Sequence, residues 1–194
     1  MEKIIKRNYR ESIETKEAFF KHNTNLIIDA ARLVAEAFKN HCKLLICGNG
    51  GSAADAQHIA GEFVNRFMIE RPPLPAIALT TDTSVITSIG NDYDFSQIFS
   101  KQVKAIGKEG DVILAISTSG NSTNIIKALK VARDLDIKSI GLTGKGGGKM
   151  AGMLDILLNV DSDCTPRIQE VHITVSHIIC ELVDHIIFHE VDKD

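Results

Sequence analysis

Apolar positions along the chain alternate between short continuous runs and helical stripes. From Asn8 to Lys39 the spacing is helical, with Leu26, Ala30, Leu33, Val34 and Ala37 on one stripe, predicting one or two helices ahead of a sheet. Strand-like runs then alternate with helical ones: Lys43–Cys47 before Ala53–Phe67, Ala76–Thr80 before Thr83–Ile89 and Phe95–Ile106, and Val112–Ile116 before Thr123–Leu135. Ser139–Leu142, a glycine-rich turn and Ile156–Val160 follow, and a last helical run covers Arg167 to His189, with Thr165 and Pro166 suited to its start. Continuously apolar strands between helices require a parallel sheet covered on both faces, a three-layer α/β architecture. Arg71-Pro72-Pro73-Leu74-Pro75 is a rigid connection that ends one helix and aims the next strand.

At 194 residues the pattern fits a single domain, residues 1–194, in which residues 1–40 form a helical N-terminal extension. A net charge of −3 without a basic cluster gives no footprint for nucleic acid, and no apolar run has the length of a membrane span. The first ten residues lack the apolar stretch of a signal peptide, so a cytoplasmic location is expected. Cys42, Cys47, Cys164 and Cys180 form no C-x-x-C pair and lie in or beside apolar segments, which predicts reduced, mostly core thiols.

Two glycine/serine loops carry the chemistry. Cys47-Gly48-Asn49-Gly50-Gly51-Ser52 and Ser117-Thr118-Ser119-Gly120-Asn121-Ser122 each follow a strand and each open a helix. Helix N-termini present unpaired N–H groups, glycines admit an anion to the backbone, and hydroxyls add donors, so the pair predicts a phosphate or sugar-phosphate ligand. No lysine follows the glycines, which excludes a Walker-type loop. Gly48-x-Gly50-x-x-Ala53 also fits a dinucleotide fingerprint, with Asp82 as a distant ribose acid. Both loops belong to the carboxyl edge of the sheet, as does Gly90-Asn91-Asp92-Tyr93, either a hydroxyl-contacting segment or a solvated turn. His58 and Glu62, four residues apart, share one helical face beside the first loop; they can bind a metal, move protons or form a surface charge pair.

Together these motifs resemble the sugar isomerase (SIS) domain family, and within it the phosphoheptose isomerases, over nearly the whole chain. The resemblance rests on the two loops, His58-Ile-Ala-Gly-Glu62, Arg71-Pro72, Gly90-Asn91-Asp92, Glu109-Gly-Asp-Val112, Leu142-Thr-Gly-Lys145, Gly147-Gly-Lys-Met-Ala-Gly152 and Arg167-Ile-Gln-Glu-Val-His172 with His177. It implies a flavodoxin-like, five-stranded parallel sheet with a long C-terminal helix, and interconversion of sedoheptulose 7-phosphate with an aldose 7-phosphate for bacterial heptose synthesis. It also implies a phosphate cradle of Ser117, Thr118, Ser119 and Ser122, with Asn49, Gly50, Gly51 and Ser52 along the sugar. Asn91, Asp92, Glu62 and Gln169 would contact substrate. A zinc ion would sit on His58, Glu62, Gln169 and His177, and Glu62 with His177 would be the catalytic pair of a homotetramer. A non-catalytic relative that binds the initiator protein DnaA shares Arg71–Leu79 but lacks acid/base residues matching Glu62 and His177, both present here. Thr165-Pro166 and Gly146 depart from family members that carry acidic residues at these points.

Gln169 and His177 lie eight residues apart, so on one helix they are separated by ~12 Å along the axis and roughly 80° around it. That spacing favours a site shared between subunits, with some ligands from a neighbouring chain.

Overall fold

The computed structural model describes residues 1–189. Five strands, β1 Leu44–Gly48, β2 Ala76–Ala78, β3 Val112–Ser117, β4 Lys138–Gly144 and β5 Ile156–Val160, form one parallel sheet in the order β2-β1-β3-β4-β5. This is the flavodoxin-like order, with its switch point between β1 and β3. Every residue of β1 and β3 is buried, as the continuous apolar runs require of central strands. At their amino ends Asp111 fixes the register, its carboxylate accepting from the Lys43 N–H (2.9 Å), the Lys43 ammonium (2.6 Å) and the Lys108 N–H (2.9 Å).

Six α-helices cover the sheet: α1 Glu2–Lys39, α2 Gly51–Val64, α3 Thr83–Asp92, α4 Ile98–Ile106, α5 Thr123–Asp134 and α6 Thr165–Phe188. One core joins α1, α2 and α6 to one face, with Phe38 meeting Phe63 edge to face at 5.3 Å; the other joins α3, α4 and α5 to the opposite face. The alternation of strands and helices is that expected from the sequence, and the differences are local. α1 is one unbroken helix from Glu2, and its buried stripe runs through Ile27, 3% exposed, while Leu26 stands 37% exposed. The 100° advance per residue turns Leu26 just past the edge of the stripe. Gly90 to Asp92 form the last turn of α3 rather than a loop.

After β4, the stretch Lys145–Met153 makes two short 3-10 turns joined at a kink, with Gly146, Gly147 and Gly148 all at positive φ. It docks on the second glycine/serine loop: the Met150 N–H donates to the Gly120 carbonyl (3.0 Å) and the Lys149 N–H to the Asn121 side chain (3.1 Å). Asp82 caps α3, accepting from the Val85 N–H at 2.9 Å, a structural role at the position weighed as a ribose acid. Cys42, Cys47 and Cys180 are buried thiols and Cys164 is exposed; burial pushes the Cys47 thiol up to about 12, so it is inert. By length and composition α6 could span a membrane, with a mean hydropathy of 1.5 over 18 residues, contrary to the sequence expectation. One side of it faces into the fold, where Val171, Val175, Ile179 and Val183 are buried against α1, α2 and the sheet.

Candidate active site

Both glycine/serine loops open at the carboxyl edge, on either side of the switch point. The β1–β3 ladder runs from Leu44 opposite Val112 to Gly48 opposite Ile116, and the two loops begin where it stops. At Gly48 an added Cβ would strike the Ser52 carbonyl, so only glycine permits so tight an entry to α2. Gly50 stands at φ 57°, and the first turn of α2 receives no side-chain cap; its Ser52 and Ala53 N–H groups donate to the Asn49 and Gly50 carbonyls at 3.0 Å each. Ser52 is buried in that turn.

The second loop turns back at Gly120, whose backbone packs against Gly147 with no space for a Cβ. Ser117 Oγ lies 3.0 Å from Ser122 Oγ, and Ser119 Oγ accepts from the Asn121 N–H at 3.2 Å. Thr118 and Ser119 are half-buried. Four hydroxyl side chains thus gather at the start of α5, whose N-cap Ser122 makes no side-chain cap of its own. The neutral hydroxyls and the helix dipole suit a phosphate.

α2 and α6 run side by side in the same direction and meet at three levels. At the first, the Gln169 amide lies over Gly51, where a Cβ would come within 2.7 Å of its Nε2. Two turns on, His58 Nε2 lies 2.8 Å from His177 Nε2 and 3.4 Å from Glu62 Oε1. At the third, the buried guanidinium of Arg71 bonds Asp184 Oδ1 at 2.7 Å and the carbonyls of Phe63 and Glu62 at 2.8 Å each, fastening the end of α2 to α6.

His58, Glu62 and His177 offer ligand atoms that all lie within 4.8 Å of one another. Two imidazoles and a carboxylate are a donor set suited to zinc, which holds such nitrogens at ~2.0–2.1 Å. Two nitrogens meeting at 2.8 Å need either one shared proton or a common cation, so the trio fits a metal. The His177 ring stacks on Phe67 with centroids 5.5 Å apart, which restricts its rotation. Asp55, one turn before His58, has its carboxyl pushed above the usual range by burial, against the pull of His58.

The spacing of Gln169 and His177 favoured a site shared between subunits; within this chain the two side chains stand at different levels of the α2–α6 seam. His177 reaches His58 and Glu62 within one chain, while Gln169 serves the loop end of the same α2–α6 seam. Asn91 and Asp92 are exposed at the end of α3, where Asn91 Nδ2 donates to Asp92 Oδ1 at 2.9 Å. Sequence reasoning missed Asn124, whose amide pairs with that of Asn49, and the Arg71–Asp184 pair. The available signal for Asn124 was an amide directly before Ile125 at the start of a helix that opens on the second loop.

The SIS domain family model matches residues 8–144. The phosphoheptose isomerase of Nitratidesulfovibrio vulgaris is 56% identical over 189 residues, covering 97% of this chain and 91% of that protein. The solved phosphoheptose isomerase of Neisseria gonorrhoeae superposes with a TM-score of 0.90 at 48% identity, covering 94% of this chain and 98% of that one. That of Francisella tularensis gives 0.92 at 44% identity, covering 94% and 97%.

Proposed function

The chain belongs to the phosphoheptose isomerases of the SIS-domain family, and from that premise we propose how its residues divide the work of converting sedoheptulose 7-phosphate to D-glycero-D-manno-heptose 7-phosphate in heptose biosynthesis. The observation that carries the reading is the convergence of His58, Glu62 and His177 two turns along α2 from the loop pair. That separation, ~10 Å of helix, matches an extended seven-carbon chain anchored by its phosphate at the loops with C1 and C2 at the trio.

Ser117, Thr118, Ser119 and Ser122 bind the phosphate with hydroxyls and N–H groups, while Asn49, Gly50, Gly51 and Ser52, with Gln169 over Gly51, line the sugar. Asn91 and Asp92 complete the contacts to its hydroxyls. Glu62 removes the proton from the carbon beside the carbonyl and returns it to the neighbouring carbon, which moves the carbonyl between C2 and C1. His177 carries the matching proton between the two oxygens. His58, Glu62 and His177 would hold a zinc ion, which when bound supplies Lewis acidity toward the sugar oxygens.

The working unit is a cytoplasmic homotetramer in this reading. Supporting it, Ile4, Ile5 and Tyr9 stand 57%, 68% and 66% exposed along α1, an apolar face that suits burial against another copy. The test is to follow sedoheptulose 7-phosphate by NMR with the wild type and Glu62→Gln. Wild type forms the aldose 7-phosphate, and Glu62→Gln turns over ~10² to 10⁴ more slowly with the fold and sugar-phosphate binding retained. A variant with near wild-type turnover rules out Glu62 as the base, and activity that survives complete metal chelation rules out zinc.

A further inference from the structure

We infer that Asn124 is a positioning residue for substrate, acting through Asn49 to hold the two ligand loops in register. Asn124 sits at the start of α5 and is 4% exposed. Its Nδ2 donates to Asn49 Oδ1 at 2.8 Å, and its Oδ1 accepts from Asn49 Nδ2 at 3.0 Å. The same Oδ1 takes the Ile125 N–H at 3.0 Å. Among the described residues, these two amide–amide bonds join the first loop to the start of α5, two residues past the second loop.

The location gives the pair its meaning. Backbone pairing between β1 and β3 ends at Gly48 opposite Ile116, and beyond it the chains diverge into the two loops. Beyond that end the amide pair ties Asn49, one residue past Gly48, to the start of α5, across the switch point where ligands bind in such sheets. An amide has two N–H donors and two acceptor positions, and the reciprocal pair uses one of each on Asn49. Rotating either amide by 180° would set donor against donor and acceptor against acceptor. Asn124 therefore fixes which way the half-buried Asn49 amide faces and leaves it one donor and one acceptor for ligand.

This rests on the isomerase reading above. If the phosphate lies on the Ser117–Ser122 loop and the sugar hydroxyls on the Asn49 loop, one substrate spans both, and a small slip between them moves the reacting carbons away from Glu62. Inorganic phosphate, which occupies the second loop alone, is insensitive to such a slip. That difference separates positioning from general loop collapse.

The experiment is a double-mutant cycle of Asn49→Ala and Asn124→Ala, measuring kcat and KM for sedoheptulose 7-phosphate and inhibition by inorganic phosphate. Each single variant should lose about tenfold in kcat/KM, the equivalent of one buried hydrogen-bonding group left unpaired. The double variant should lose no more than either single, and phosphate inhibition should stay at the wild-type concentration. Should Asn124→Ala not fold, Asn124→Ser keeps a polar group at the helix start and is too short to reach Asn49. Additive losses in the double variant, or phosphate inhibition weakened in step with KM, overturn the inference. A wild-type protein inert toward sedoheptulose 7-phosphate instead removes the isomerase reading before any variant is compared.

Discussion

Replacing Arg71 with methionine keeps an unbranched side chain of similar reach and removes every charge-assisted bond at the third level of the α2–α6 seam. The side chains of Arg71 and Asp184 are only 1% and 6% exposed, so the Asp184 carboxylate would be left buried without its partner. Burial already pushes that carboxyl above its usual range despite the guanidinium beside it, and Asp184 Oδ2 has no hydrogen-bond partner. Breaking a buried pair from one side costs about 3–5 kcal/mol. The Phe63 carbonyl keeps the Leu74 N–H at 3.1 Å, whereas the Glu62 carbonyl loses its 2.8 Å bond to the guanidinium. A loss of about 4 kcal/mol is a large part of the ~5–15 kcal/mol that holds a typical domain, and lowers Tm by roughly 8–16 °C in a chain of this size. Adding Asp184→Leu removes the stranded charge and should recover most of the loss, leaving about 1 kcal/mol for the Glu62 carbonyl. Urea and thermal unfolding followed by circular dichroism measure all three variants. The reasoning fails if Arg71→Met lies within 1 kcal/mol of wild type, or if the double variant is no more stable than the single.

His172 donates Nε2–H to the Thr143 carbonyl at 3.0 Å, and burial pushes its pKa down to about 4. The unfolded chain therefore binds the extra proton first, and stability falls as pH drops from ~6.5 toward 4, by up to about 3 kcal/mol. Comparing wild type with His172→Asn across that range isolates this contribution, and identical slopes would refute it. Ser119→Ala should raise KM for the sugar phosphate with little change in kcat; unchanged kinetics would reduce the second loop to a turn. Because His58, Glu62 and His177 assemble within one chain, mixed Glu62→Ala and His177→Ala subunits should show no rescue after exchange. Restored activity would place the pair across an interface.

The strands, their order of connection to helices, and both ligand loops were legible because each depends on local periodicity and turn chemistry. Val112–Ile116 reads as a buried strand from five consecutive apolar residues, and the structure extends it by Ser117 alone. What connects distant segments was not legible. The bond between His58 and His177 spans 119 positions and that between Arg71 and Asp184 spans 113, and no periodic signal encodes either. The spacing argument about Gln169 and His177 was sound as helix geometry. It assumed one target for both side chains, whereas α2 runs parallel to α6 and offers a separate partner at each level.

Pairing of the first helix with the last sets the order in which a growing chain can mature. α1 leaves the ribosome well before α6, against which it packs, so the apolar stripe through Ile27, Ala30 and Val34 must wait for α6 to be made. The second glycine/serine loop gains its support only once Met150 has been added, and the trio closes only with His177. A nascent chain therefore exposes both an unpartnered helix and an unfinished site until α6 has emerged, the interval in which holding chaperones have most to protect.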